Sequence, residues 1–152
     1  MKAGELCNRD VVTATRDMSI QEAALLMREH HVGCLIVVEE VSGHTRPTGI
    51  LTDRDIVIEV IAKDVPSTGV TVGDVMTFTL LKVVEDENIF DVAQRMRCRG
   101  VRRVPVISNN GELAGIIALD DLLMMLSQEL SLLATITTRE AEQEVTKRSA
   151  PC

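Results

Sequence analysis

Apolar residues recur at three- and four-residue spacing in two separate segments of the chain. The recurring residues are Ile20, Ala23, Ala24 and Met27 in the first segment and Ile89, Val92, Ala93 and Met96 in the second. This spacing puts the apolar side chains on one stripe of a helix. Ser19 and Asn88 stand where an N-cap is wanted, each followed three residues later by an acidic residue. The pattern therefore predicts two amphipathic helices.

Short apolar runs follow each predicted helix. They comprise residues 35–38 and 49–51 in the first half, and residues 104–107 and 115–117 in the second half. Runs of this length, rich in β-branched residues and bounded by Gly, Asn and Ser, are typical of buried strands. Each half is predicted to form a strand, a helix, a strand, a turn, a strand and a helix. The closing helices are expected to begin near Arg54 and Asp120.

The two halves resemble each other, which indicates an internal repeat. Ile20 and Ile89 are 69 positions apart, whereas Gly49 and Gly115 are 66 apart, so one loop of the second half is three residues shorter. A duplication accounts for this offset. We predict an α/β (α+β) fold of two repeats, each with a small three-stranded sheet and two helices. The predicted boundaries are 1–66 and 67–130, followed by a polar tail at 131–152 that is helical or partly disordered.

Composition narrows the classes of function. Of its 152 residues, two are Phe and none is Trp or Tyr, and the net charge is −7. Single-stranded nucleic acid needs aromatic stacking platforms and clustered basic residues, so nucleic acid is not an expected partner. No segment resembles a signal peptide or a membrane span. The four cysteines form no C-x-x-C pair and the histidines have no ligand spacing. We expect a cytoplasmic protein with free thiols and no metal.

Three motifs carry a resemblance to a known family. They are Val75-Met76-Thr77, Arg102-Arg103-Val104-Pro105-Val106 and Gly49-Ile50-Leu51-Thr52-Asp53-Arg54-Asp55. From about Leu6 to Leu126 the chain resembles a tandem pair of CBS (cystathionine-beta-synthase) domains, most of all short stand-alone bacterial pairs of the hypoxic response protein type. The resemblance implies two repeats related by a pseudo-twofold axis, with two clefts between them that take AMP, ADP, ATP, NAD or S-adenosylmethionine. It also implies a homodimer and no catalytic activity.

The resemblance places the first cleft on the complete ligand motif Gly49 to Asp55. The residues expected there are Ile50, Thr52, Arg54, Asp55, Met76, Thr77, Leu81, Val101 and Arg102. Thr52 would end a strand just before a helix, so its hydroxyl and the first amide N–H groups of that helix would favour an anionic oxygen. A carboxylate at Asp55 can accept both hydroxyls of a ribose, and Arg suits phosphate.

The second cleft departs from the motif because Ala118 stands where a hydroxyl is expected. The residues expected there are Val12, Val32, Gly33, Arg103, Ile116, Ala118 and Asp121, with Arg102 shared. The loss of one charge-assisted hydrogen bond costs roughly 1.5–3 kcal/mol, or about tenfold to a hundredfold in affinity. We expect this cleft to bind more weakly, to bind another ligand, or to stay empty.

Simpler interpretations stand beside this hypothesis. Thr52 can be an ordinary N-cap, and Asp55 and Asp121 can be first-turn acids that stabilise their helices. The pair can also be a ligand-free dimeric scaffold that docks on a regulated protein, or a sensor based on its thiols or on a metal. The leading hypothesis is a non-catalytic sensor that binds an adenine nucleotide (AMP, ATP or NAD) and signals through a homodimer.

Overall fold

The first half of the chain begins with a short helix and continues into a three-stranded sheet. The structure is a computed structural model and describes residues 1–148. The elements of the first half are α1 (Ala3–Leu6), β1 (Thr13–Ala14), α2 (Ile20–His30), β2 (Cys34–Val41), β3 (His44–Thr52), α3 (Asp53–Ile56) and a π-helical segment (Val57–Ile61). Strand β2 lies between β1, to which it is parallel, and β3, to which it is antiparallel.

The second half repeats this order. Its elements are α4 (Val72–Val75), β4 (Val83–Val84), α5 (Ile89–Arg99), β5 (Arg103–Ile107), β6 (Leu113–Ala118) and α6 (Leu119–Arg148). Its sheet has the order β4-β5-β6, with β4 parallel to β5. The predicted two-repeat α/β architecture is thus confirmed, although α1 was not predicted and the first closing helix turns into a π-helical segment. Strands β2 and β5 are apolar without alternation because both faces of a central strand are covered.

Both predicted N-caps are confirmed. The Ser19 side chain accepts the amide proton of Glu22 at 3.2 Å, and the Glu22 carboxylate reaches back to the Ser19 N–H at 3.0 Å, which completes a capping box. Asn88 caps α5 through the amide of Phe90 instead, at 2.9 Å. The helices end in the left-handed region, at His31 (φ 54°) and Gly100 (φ 64°). These are equivalent positions of the two repeats.

The segment that precedes each repeat packs on the sheet of the other repeat. Asn8 forms two backbone hydrogen bonds with Ile116, each of 2.9 Å, and Thr77 forms two with Ile50, at 2.9 and 3.1 Å. Two further backbone bridges, Lys2 with Asn88 and Ser19 with Thr71, also join the segment before one repeat to the other repeat. We call residues 2–8 and 71–77 the lead-in segments. Their exchange joins the repeats through backbone hydrogen bonds, which any sequence of suitable shape can form.

The exchange completes the hydrophobic core of the first repeat. Val72 and Met76 of the second lead-in segment belong to the core cluster of the first repeat, together with Leu35, Val37 and Leu51. All five have exposed fractions of 5% or less. Because this core is built partly from the other half of the chain, the first repeat depends on the second lead-in segment for its stabilising contacts.

Residues Met1–Ile117 form one compact unit, and a second unit begins at Ala118. The second unit contains α6, which confirms the expected helical extension as far as Arg148. Residues 149–152 lie outside the described part of the chain. The predicted domain boundaries at 66 and 130 stay a prediction. In residues 1–148 no helix is long and apolar enough to cross a membrane.

A glycine at each lead-in crossing makes the close approach possible. A Cβ atom on Gly49 would lie 2.9 Å from the Thr77 carbonyl oxygen, and one on Gly115 would lie 2.8 Å from the Asn8 carbonyl oxygen. Gly49→Ala should lower the free energy of unfolding by about 1–3 kcal/mol, because the lead-in segment must move away from β3. Urea unfolding followed by circular dichroism measures this change.

The matched control is Arg46→Ala on the same strand, where the side chain is exposed. Its effect should stay within about 0.5 kcal/mol. Equal destabilisation by the two substitutions would show that the crossing at Gly49 is not tight.

Candidate functional site

A cleft of about 400 Å³ lies where β3 passes into α3, opposite residues of the second repeat. The lining residues are Ile50, Thr52, Asp53, Arg54, Asp55, Thr77, Thr79, Leu80, Leu81, Gly100, Val101, Arg102 and Arg103. This volume falls in the range of small-molecule sites. The backbone bridge between Ile50 and Thr77 fixes the floor of the cleft, since it ties the end of β3 to the chain that runs on to Leu81.

Two of the expected placements differ from the structure. Met76 does not line this cleft: its side chain is 5% exposed and belongs to the core of the first repeat. It points inward because it packs beside Gly49, where the missing side chain leaves room for its sulfur. Arg103, expected in the second cleft, lines this one. The other residues expected in the first cleft do line it.

Four lining residues were not among the predicted set. Asp53 lies inside the quoted motif, and Gly100 could have been found from its role as the left-handed residue after α5. Thr79 and Leu80 have no motif that would mark them. They reach the cleft only because the Ile50–Thr77 bridge directs the chain there.

Thr52 and Asp55 form a capping box at the start of α3. The Thr52 hydroxyl donates to Asp55 Oδ2 at 2.7 Å and accepts the Asp55 amide proton at 3.1 Å, while the Thr52 N–H donates to the same Oδ2 at 2.9 Å. The contacts of Thr52 and Asp55 within the protein are therefore those of an ordinary N-cap and a first-turn acid, as in the simpler interpretation given above. Asp55 lines the cleft, and among residues 1–148 none donates a hydrogen bond to its Oδ1.

The expectation that α3 offers open amide N–H groups to an anion is wrong. The Asp53 N–H donates to the Gly33 carbonyl at 3.1 Å, and the Arg54 N–H donates to Asp53 Oδ1 at 2.8 Å. The Asp55 N–H is held by Thr52. Since one of its first three donors is satisfied by Gly33 and the other two by neighbouring side chains, this helix end has none left for a phosphate oxygen.

The guanidinium groups of Arg54, Arg102 and Arg103 are the open cationic groups of the cleft. None of the three makes a hydrogen bond or an ion pair with another side chain of residues 1–148. Other arginines are engaged: Arg95 pairs with Glu87 at 2.6 Å, and Arg9 pairs with Glu85 at 3.1 Å. Unpaired guanidinium groups in a concave site suit an anionic ligand.

The residues expected in the second cleft fall in both compact units. In the unit that begins at Ala118, the Ala118 N–H donates to Asp121 Oδ2 at 2.7 Å, which repeats one of the three bonds between Thr52 and Asp55. In the first unit, Val12 and Val32 are half-buried and pack against the core cluster. The Ile116 backbone is paired with Asn8. The second cleft stays a prediction.

Cys34 lies near the charged groups of the cleft. It is 8% exposed, and burial raises the pKa of its thiol, with Arg103 opposing and Asp53 reinforcing the change. Burial likewise raises the pKa of Cys7. Cys7, Cys34 and Cys98 are free thiols, as expected. Cys152 lies outside the described residues.

One family accounts for nearly the whole folded part of the chain. The model of the CBS domain matches residues 3–62 and again residues 72–128. The chain belongs to the CBS domain family. The gap between the two matches covers residues 63–71, which follow the π-helical segment, and each match begins within a lead-in segment.

The relatives support the expected type of CBS pair. A protein of Methanopyrus kandleri is 35% identical over 136 residues, which are 90% of this chain and 66% of that protein. Hypoxic response protein 1 of Mycobacterium tuberculosis is 32% identical over 120 residues, 79% of this chain and 81% of that protein. The predicted resemblance to that type is confirmed. Because the chain spans about two thirds of the Methanopyrus protein, that protein has residues with no counterpart here.

Solved structures show the same fold. Hypoxic response protein I with two coordinated zinc ions has a TM-score of 0.71 at 31% identity, over 82% of this chain and 98% of that one. The CBS domain pair of protein MJ0100, in complex with 5′-methylthioadenosine and S-adenosyl-L-methionine, has a TM-score of 0.74 at 25% identity, over 85% and 98%.

The expectation of no metal is overturned by the two zinc ions of hypoxic response protein I. Spacing along the chain was the wrong test, because a metal site can collect ligands from distant segments. In residues 1–148 no group of three or more His, Cys, Asp or Glu side chains could hold a metal ion.

Two further relatives bear on assembly and activity. A hexameric CBS-CP12 protein from bloom-forming cyanobacteria has a TM-score of 0.72 at 30% identity, over 81% of this chain and 66% of that one. L-aspartate semialdehyde sulfurtransferase of Methanocaldococcus jannaschii is 29% identical over 118 residues, 22% of its length. This chain is thus similar to part of a hexameric protein and to part of a protein named as an enzyme, while the matched family model is that of the CBS domain alone.

Restoring the hydroxyl missing at position 118 should stabilise the protein. Ala118→Thr should raise the free energy of unfolding by about 1 kcal/mol, because its hydroxyl can form with Asp121 the two bonds that the Thr52 hydroxyl forms with Asp55. Thr52→Ala should lower it by a similar amount. Urea unfolding checks both. If Ala118→Thr were neutral while Thr52→Ala cost the expected amount, the two helix starts would not be equivalent.

Alkylation should distinguish the thiols by pH. The reactive form is the thiolate, so the raised pKa of Cys34 and its burial should make it at least about tenfold slower than exposed Cys98 at pH 8. The Cys34 rate should keep rising as the pH passes 9. Mass spectrometry of peptides after timed iodoacetamide treatment measures both rates, with Cys98→Ser as the assignment control. Equal rates at pH 8 would contradict the buried position.

Proposed function

We propose that this CBS pair is a non-catalytic regulatory module that binds a phosphorylated adenine nucleotide in the cleft at Thr52 and Asp55. The observation that carries the proposal is the combination, in one cleft of about 400 Å³, of three unpaired guanidinium groups with an open carboxylate oxygen. A nucleotide has three chemically distinct parts, and the cleft offers a complementary group for each.

The polar groups of the cleft suit a phosphorylated ribose. Asp55 Oδ1 can accept hydrogen bonds from the two ribose hydroxyls, since its other oxygen holds the capping box. Arg54, Arg102 and Arg103 can contact phosphate oxygens. With Asp53 and Asp55 as the acidic lining residues, the five groups carry a formal charge of three minus two, or +1. That excess favours an anionic ligand over a cationic one.

The apolar lining suits the base. Ile50, Leu81 and Val101 supply aliphatic surface for a flat ring. The Ile50 and Thr77 backbone groups are already paired with each other, and the Leu80 N–H donates to the Phe78 carbonyl at 2.8 Å. Polar recognition of the adenine edge therefore falls to Thr79 and to the Leu80 carbonyl. The complex of the MJ0100 pair with two adenosine compounds supports an adenosine ligand in this family.

We further propose that occupancy is passed on through a homodimer to a regulated partner. A ligand changes the balance between two arrangements only by binding one of them more tightly. The guanidinium groups come from both repeats, so a bound phosphate would favour the arrangement that brings them together. The cytoplasmic location stays a prediction.

Calorimetric titration with AMP, ADP, ATP, NAD, adenosine, 5′-methylthioadenosine and S-adenosylmethionine tests the ligand, in parallel with and without EDTA. At least one phosphorylated nucleotide should bind at least about tenfold more tightly than adenosine and S-adenosylmethionine. Arg103→Gln should weaken that nucleotide by about tenfold to a hundredfold, the effect of one lost charge-assisted bond. Arg97→Gln, on the exposed surface of α5, is the charge-matched control.

Asp55→Asn separates binding from capping. Its control is Asp74→Asn, because Asp74 accepts from the Thr71 N–H at 2.9 Å and from the Thr71 hydroxyl at 2.8 Å in the same kind of box, outside the cleft. Both variants should lose similar stability, and only Asp55→Asn should lose nucleotide affinity. Absence of binding by every phosphorylated compound at millimolar concentration would reject the proposal and favour the ligand-free scaffold.

A further inference from the structure

Helix α6 carries five leucines at alternating spacings of four and three residues. They are Leu119, Leu123, Leu126, Leu130 and Leu133, which we call the leucine seam. At 100° per residue these positions fall within about 80° of one another on the helix surface. Alternate spacings of four and three are the a and d positions of a heptad repeat, in which leucine is a common occupant.

The seam is exposed along its whole length. The exposed fractions are 37% for Leu119, 56% for Leu123, 41% for Leu126, 67% for Leu130 and 60% for Leu133. The buried residues of α6, Leu122 and Met125, lie to one side of the seam. A contiguous row of exposed large apolar side chains is unusual on a monomer and marks a contact surface.

The residue spacing of the seam indicates what kind of helix can pack against it. Knobs-into-holes packing requires a facing helix whose side chains repeat with the same 3.5-residue period. Helices α2 and α5 have 11 residues each and bury their apolar stripes in the repeats. Among the described helices, α6 alone has an exposed row of apolar side chains with this period. The α6 helix of a second copy of this chain is therefore the surface that can pack against the seam.

The surface of α6 on the side of the leucine seam is large enough to bury the minimum area of a specific protein–protein interface. From Leu119 to Ile136 the helix rises about 26 Å, and half the surface of a cylinder of about 6 Å radius and that length is about 500 Å². Two copies would bury about 1,000 Å², at the threshold for a biological interface.

The acidic residues that follow the seam decide whether the two α6 helices pair parallel or antiparallel. Continuing the spacing of four and three beyond Leu133 leads to Thr137, Glu140 and Glu144. In a parallel pair each glutamate would face its own copy across the seam, and like charges at close range repel. In an antiparallel pair, Leu126 can face Leu130 of the second copy and Leu123 can face Leu133, while the glutamates lie beyond the second copy's seam. The helix dipoles also oppose each other in that arrangement.

We infer that this protein self-associates through an antiparallel pairing of the α6 leucine seams of two copies. The inference rests on the homodimer of the proposed function and names its surface, but it does not depend on the nucleotide cleft, since no seam residue lines that cleft. Loss of self-association would therefore leave nucleotide binding as a separate question.

Sedimentation equilibrium of the full chain tests the surface. The wild type should have twice the chain mass of 16.7 kDa. The double variant Leu126→Lys/Leu130→Lys should weaken dimerisation at least about a hundredfold, because two ammonium groups per copy would enter the interface. Gln128→Lys/Thr135→Lys adds the same charge on the opposite side of α6 and should remain dimeric. Circular dichroism establishes that every variant keeps its helix content.

Two results would overturn the proposal that the leucine seam is the dimer interface. One is a monomeric wild type at about 100 µM, which would mean that the seam serves a different protein. The other is an unchanged mass for the seam variant.

Spin labels test the orientation. With the four native cysteines replaced by serine and a label at Gln143→Cys, an antiparallel pair separates the two labels by about 45 Å along the axis, the rise of 30 residues. A separation below about 20 Å would mean a parallel pair and would overturn the antiparallel arrangement.

Discussion

The exchange of lead-in segments is the constraint on which the rest of the first compact unit depends. Each sheet receives its final backbone bridge from the other half of the chain, at Ile50 with Thr77 and at Ile116 with Asn8. The bridge demands glycine immediately before each isoleucine, since a Cβ atom there would enter the crossing segment. Because the same crossing inserts Val72 and Met76 into the first core, the repeats cannot separate without opening that core.

The cleft follows from the same crossing. The bridge at Ile50 holds residues 77–81 against the end of β3, so aliphatic surface from the second repeat faces the start of α3. The left-handed turn at Gly100 then brings Val101 and the two adjacent arginines to the same opening. A site of this kind exists only while both halves are folded together, and ligand binding would accordingly stabilise their association.

Two kinds of polar group meet in that cleft. Thr52, one oxygen of Asp55 and the first amides of α3 are engaged in local capping, which rigidifies the start of the helix. The guanidinium groups and the second carboxylate oxygen have no such contacts. Local capping thus holds the Asp55 carboxylate in place, and a ligand that contacts its second oxygen need not break the capping bonds. The zinc of hypoxic response protein I shows that related pairs use other chemistry on the same fold.

The repeat, the helices with their N-caps, the strands and the family could be predicted from the sequence because they depend on local signals. Hydrophobic period, turn residues and the Gly49 to Asp55 motif are all read within a few residues. Arg54, Asp55 and Arg102 were recognised in the same way, because the motif and the arginine cluster are contiguous. A closing helix near Asp120 and a tail that is helical or partly disordered were predicted in the same way, and α6 runs as one helix from Leu119 to Arg148.

Only the tertiary structure decided which partner each polar or sulfur atom takes. The inward position of Met76 follows from the space above Gly49, and the place of Arg103 in the first cleft follows from the turn at Gly100. The Asp53 amide of α3 is engaged because Gly33, 20 positions earlier in the chain, accepts its hydrogen bond. Thr79 and Leu80 reach the site through the Ile50 bridge. Contacts between segments far apart in the chain depend on how the backbone crosses, and no local pattern of residues encodes that crossing.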